Sequence, residues 1–166
     1  MATWQFDFHM IPSEVILHRY GTTPIVISRS DFDQDGWWEG LFYTPKLADE
    51  ISKIVPQLPT WKSALERWGY EDGNRIEIMK DGNAISSILV RIDVRTISLV
   101  FIKKITDIAQ QYKWLIRISD GRVLQPSSKR LLSAIHASDA YRFVEDPQSF
   151  FEAAKDESNN GDIRKE

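Results

Sequence analysis

Between Arg75 and Arg95 the chain alternates apolar and polar residues twice, on either side of Asp81-Gly82. Ile76 and Ile78 alternate with Arg75 and Glu77, and Ile88, Val90, Ile92 and Val94 alternate with Leu89, Arg91, Asp93 and Arg95. A period of two belongs to half-buried strands, so the stretch predicts two antiparallel strands joined at Asp81-Gly82. Parity constrains the turn further. A two-residue Asp81-Gly82 loop would set Ile78 opposite Ile85 and send Ile88, Val90 and Ile92 to the wrong face, so one extra residue is required. Either a three-residue loop, Asp81-Gly82-Asn83, with Asn83 left-handed, or a bulge at Ser86-Ser87 supplies it. Both give one apolar face and one charged face carrying Arg75, Glu77, Arg91, Asp93 and Arg95. That charged face reads as solvated sheet surface or as a docking face for a protein partner.

The rest of the chain reads as further strands and helices built against this hairpin. Trp4, Phe6, Phe8 and Met10 alternate with Gln5, Asp7 and His9, an opening strand with one aromatic face. Ile25 to Ser28 reads as a second strand, and Glu14 to Tyr20 is too short to classify. Thr44-Pro45 opens a helix with the stripe Leu47, Ala48, Ile51, Ile54 and Val55. Trp61, Ala64, Leu65 and Trp68 fall at helical spacing before Gly69, which predicts a second helix with both tryptophans in the core. Ser98 to Tyr112 carries a helical stripe from Phe101 to Ile108. Trp114, Ile116 and Ile118 form a strand that turns at Asp120-Gly121 into Arg122 to Leu124. Another helix opens at Pro126-Ser127-Ser128, a short strand is expected at Tyr141, Phe143 and Val144, and Asp146-Pro147 caps a last helix. Residues 156–166 are polar and aperiodic, which predicts a disordered tail. Hairpins in place of regular strand-helix-strand crossovers point to an α+β fold: a mostly antiparallel sheet with helices packed on it, in a single domain over residues 1–155.

The least ordinary stretch is Ser30 to Phe42, SDFDQDGWWEGLF. Asp31, Asp33, Asp35 and Gly36 match the opening of a helix-loop-helix calcium loop, in which alternate carboxylates converge on the ion. The twelfth position, where a bidentate glutamate belongs, is Phe42, and the preceding residues look like a strand. A weak calcium site at Asp31, Asp33 and Asp35, with Glu39 adding an oxygen, stands beside the plainer reading of a polar loop rich in turn formers. Trp37 and Trp38 are neighbours, and on an extended segment neighbours point to opposite faces. One of them is therefore expected at the surface, where Trp37, Trp38, Asp35 and Glu39 would form a binding patch with an aromatic anchor and a charged rim.

Composition excludes more than it identifies. A net charge of -3 with interspersed signs and no basic run gives no nucleic-acid footprint. With no cysteine there are no disulfides, thiol nucleophiles or thiolate metal sites. No apolar stretch approaches the roughly 18 residues of a membrane helix, and no secretory signal is evident, so a cytoplasmic location is expected. His9, His18 and His136 are scattered, with His9 expected at the surface. No phosphate loop, nucleophile elbow or paired metal-spaced histidines occur.

WGYEDGNRIEI (Trp68 to Ile78), RIDVR (Arg91 to Arg95), DGRVLQP (Asp120 to Pro126) and ASDAYRFVEDPQSFF (Ala137 to Phe151) resemble a group of small bacterial proteins of unassigned function. The resemblance covers about the second half of the chain. It implies a shared fold and carries no catalytic residue across, since its motifs are dominated by turn and core positions. The expected function is a non-catalytic protein-binding module of the inhibitor or immunity type. The alternatives are a small-ligand or calcium-binding domain and a self-associating structural subunit. No other cofactor is expected.

Overall fold

One antiparallel sheet organises the chain, and its first strand lies near its middle. In the computed structural model, which describes residues 2–162 and side chains to residue 156, seven strands form: β1 (Gln5–Pro12), β2 (Gln57–Leu58), β3 (Leu65–Gly69), β4 (Arg75–Asp81), β5 (Ala84–Asp93), β6 (Trp114–Ile118) and β7 (Val123–Leu124). Their order is β2-β3-β4-β5-β1-β6-β7, and every pairing is antiparallel. The helices are α1 (Ser13–Tyr20), α2 (Arg29–Phe32), α3 (Pro45–Ser52), α4 (Leu99–Gln111), α5 (Ser128–His136), α6 (Asp139–Glu145) and α7 (Pro147–Asp162).

The central hairpin settles the parity question through the bulge. Asp81 pairs with Ala84 around Gly82-Asn83, Lys80 pairs with Ile85, and Met79 pairs with Ser87, so Ser86 is the extra residue. Gly82 takes the positive φ of 60° and Asn83 does not, so the left-handed residue is one place earlier than Asn83. Ile85, Ile88, Val90 and Ile92 are thereby all buried. At the same bulge β5 changes neighbours. Its outer part pairs with β1 up to Met10 opposite Ile88. Its hairpin end instead meets residues 41–43, with Ile85 N–H donating to Leu41 O and Tyr43 N–H donating to Asn83 O.

The apolar face carries Phe6, Phe8, Met10, Trp68, Ile76, Ile78, Ile88, Val90, Ile92, Ile116 and Ile118, all buried in one core. Three helices close it. Thr44 caps α3 by accepting from Leu47 N–H, Ser98 caps α4 through Phe101 N–H and Ser127 caps α5 through Arg130 N–H. Leu47 and Ile51, Phe101 to Ala109, and Leu131 with Ile135 supply their buried stripes.

Three expectations are overturned, and the last helix extends further than expected. Residues 65–69 form β3 where a helix was predicted. Helical spacing there was fortuitous: Trp68 points into the core, donating from Nε1 to Ser52 Oγ at 3.1 Å, while Trp61 is 74% exposed. Arg67, buried on the opposite face, disguised the strand alternation. Tyr141, Phe143 and Val144 lie in α6, because Ser138 caps a helix by accepting from Tyr141 N–H. Ile25 to Ser28 contributes only an isolated bridge, Val26 to Arg122, although Ile27 N–H and Ile25 O do bond to the β7 hairpin. The tail expected to be disordered from residue 156 continues α7 as helical backbone to Asp162; residues 163–166 lie outside the described residues. Among the described residues, no helix is long and apolar enough to cross a membrane.

Candidate functional site

The face of the sheet turned away from the helices divides into a covered half over β1 and β6 and an open half over β3, β4 and β5. Across β4, β5, β1 and β6, register sets Glu77, Leu89, His9 and Arg117 in one row, with Arg67 beside Glu77. The next row holds Arg75, Arg91 and Asp7.

Residues 27–38 cover the first half. Ser28 caps α2 by accepting from Asp31 N–H, which fixes Phe32 over the sheet. Its ring lies 4.8 Å from that of His9, and the Arg117 guanidinium sits 4.3 Å from the Phe32 centroid. Trp37 Nε1 donates to Phe32 O at 2.8 Å. Trp37 is then held from α1: Tyr20 stacks on it at 6.4 Å and Arg19 lies over its ring at 4.0 Å. Trp38 meets Trp114 edge-on at 5.1 Å, and Tyr112 stacks on Trp114 at 4.9 Å.

Both Trp37 (6% exposed) and Trp38 (4%) are therefore buried, against the expectation that one would be free. The segment is not extended. Gly36 and Gly40 have φ of 95° and 77°, and Glu39 N–H and Leu41 N–H bond back to Gly36 O and Trp38 O. Tight turning lets both consecutive rings find packing partners, Trp37 on Phe32 and Tyr20 and Trp38 on Trp114.

The carboxylates of this segment are not brought together. Half-buried Asp31 accepts from Tyr20 Oη at 3.4 Å, and Asp33 lies 3.7 Å from Arg29 in an exposed pair. Asp35 is engaged through its carbonyl, which accepts from Arg19 Nη2 at 2.6 Å, and Glu39 is exposed. Among the described residues no three His, Cys, Asp or Glu side chains are grouped to hold a metal ion.

The open half is a lattice of paired charges. Arg91 grips Asp7 with two bonds of 3.0 Å, and this bonding raises the arginine's pKa. Arg75 Nε lies 2.8 Å from Glu77, and buried Arg67 donates to Glu71 at 2.9 Å. Arg95 donates to Asp93 at 2.9 and 2.8 Å, bonding that lowers the carboxyl's pKa, and lies 4.6 Å over Trp4. Trp61, missed as a surface residue by the sequence reading, projects above this lattice with Arg67 5.2 Å from its ring. Exposed Met79 is on the neighbouring strand. The one available signal was the pair of prolines, Pro56 and Pro59, that break the chain before Trp61.

The three histidines stand apart from one another. His9 makes no hydrogen bond to a serine or carboxylate among the described residues, exposed His136 stands edge-on to Tyr141, and His18 is exposed on α1. No family model, curated protein or solved structure matches the chain.

Proposed function

We propose that this protein is a non-catalytic protein-binding module of the inhibitor or immunity type, docking through the open outer face of β3, β4 and β5. The observation that carries this reading is Trp61. It is a large aromatic side chain, 74% exposed, standing on a sheet face whose charges are already paired. Exposed tryptophan beside an ordered arginine is the side-chain pairing in which binding energy concentrates at protein interfaces. Paired charges offer a rim that orients a partner without an isolated buried ion. This surface takes the place of the Asp35, Trp37, Trp38 and Glu39 patch, whose two aromatic rings are inside.

Affinity capture from the native source tests it with three forms: wild type, Trp61→Ala, and the double variant Asp35→Ala, Glu39→Ala. A partner held by wild type and the double variant but lost by Trp61→Ala supports the reading. Retention by Trp61→Ala with loss by the double variant returns the site to the acidic loop. The small-ligand alternative has one feature in its favour, a cleft of about 410 Å³ where β1 begins and β6 ends, walled by Phe6, Ile118, Ala134 and Phe150 with Asp120 and Arg122 at hand.

A further inference from the structure

We infer that residues 27–38 form a pH-operated strap, and that protonation of His9 releases it from β1 and β6. His9 and Arg117 are direct cross-strand neighbours, and both lie against the ring of Phe32. Arg117 is only 6% exposed, donates from Nε to Ile27 O at 3.1 Å, and among the described residues has no carboxylate within 4.0 Å. The strap is thus tied down at Ile27 and Phe32 by a cation whose neighbour is neutral imidazole. Charging that imidazole puts two cations side by side beneath one aromatic ring, and like charges directly opposite across an antiparallel pair repel.

The surrounding charges relieve this only in part: Asp7 favours the charged imidazole, and Asp33 and Asp120 favour the Arg117 cation against Arg29, yet each is shared with another arginine. On β1 itself, Asp7 is engaged by both guanidinium bonds of Arg91, the β5 residue that faces it. On β4, Glu77 is held by Arg75 at 2.8 Å. On the strap, Asp33 lies beside Arg29, and Asp35 is exposed. On α1, Arg19 adds a further cation above Trp37. Burial is the main cause that holds His9 below the ordinary imidazole value of 6.5, with Arg117 lowering it further and Asp7 opposing both. A cavity of about 170 Å³ already separates the strap from β1 and the β5 bulge, lined by His9, Asp33, Trp37 and Ser87. Water therefore has a place to enter once the strap lifts.

The test follows the indole N–H signals by NMR from about pH 8 to about pH 5, the range in which imidazole titrates. Trp37 reports on the strap through its bond to Phe32 O, and Trp68 reports on the helical layer through its bond to Ser52. In wild type the Trp37 signal shifts with a midpoint below 6.5 while Trp68 stays in place; in His9→Gln the Trp37 shift is lost. His9→Phe serves equally should the glutamine variant not fold, since it keeps the ring contact without the proton. A Trp37 signal that does not move in wild type overturns the inference. So does one that moves as far in both His9 variants, or one that moves together with Trp68 and so reports global unfolding.

Discussion

Two stretches each carry a pair of tryptophans, and the molecule uses them in opposite ways. In 37–38 the pair is consecutive, lies between left-handed glycines, and both rings are packed, Trp37 against Tyr20 of α1 and Phe32, and Trp38 against Trp114 of β6. In 61–68 the pair is separated by a turn and the first residues of β3: Trp68 is fully buried under α3 while Trp61 stands in solvent beside Arg67 on the opposite face. Side-chain type did not decide burial; the backbone between the rings did. A glycine-bounded turn gives each of two neighbouring rings a packing partner, whereas only Trp68 of the second pair lies in a strand and Trp61 stands in the bend before it.

The sharpest way to break this comparison is to truncate the rings. Trp38→Ala, which removes the edge contact to Trp114, should cost about 3–5 kcal/mol of stability in urea unfolding, as large aromatic deletions in packed sites do. Equal stability of Trp38→Ala and wild type would show that the turn does not bury its rings. The next effect is set by pH. Because the folded-state pKa of His9 is depressed, its contribution is present above the unfolded value of 6.5 and is lost as pH falls through the folded value. Wild-type stability should therefore decline as pH falls from 6.5 towards the lower folded value and level off beneath it, and His9→Gln should flatten the decline. Arg19→Ala removes the cation over Trp37 and the bond to Asp35 O, and should cost about 1 kcal/mol by thermal unfolding. Trp61→Ala should change stability by no more than about 0.5 kcal/mol, since its ring is mostly in water. A large loss there would make Trp61 a structural cap over Arg67 instead of a docking anchor.

The hairpin was legible because Ile76 to Val94 obey two constraints at once, alternation and parity, and only a bulge or a longer loop satisfies both. The helix starts at Thr44, Ser98 and Ser127 were equally legible, since each hydroxyl sits just before an apolar stripe of period 3.6. The strand at 65–69 was not, because Leu65 shares a face with Arg67 and Glu66 shares a face with Trp68, so each side mixes apolar and charged residues and no alternation shows. Asp31, Asp33 and Asp35 show the converse limit. Their spacing suits an ion, but spacing does not specify the backbone path, and here a four-residue helix and a turn send each side chain to a separate neighbour. Trp61 was misread because three- and four-residue spacing is cheap to obtain by chance in a short window.

The position of β1 has a consequence for how the chain assembles. Asp7 and Arg91 are 84 residues apart in sequence, yet β1 fills the gap between β5 and β6, which run parallel to each other on either side of it. The β3-β4-β5 meander can form from local contacts alone, whereas β1 has no strand partner until β5 has been made. Closing so long a loop is slow relative to hairpin formation. Synthesis from the N-terminus would thus leave β1, with its buried Phe6, Phe8 and Met10, waiting while its partners emerge, and the docking of residues 27–38 over it becomes a late event. Substitutions in β1 should act mainly on the rate of the final assembly step, and those in the meander on the formation of its template.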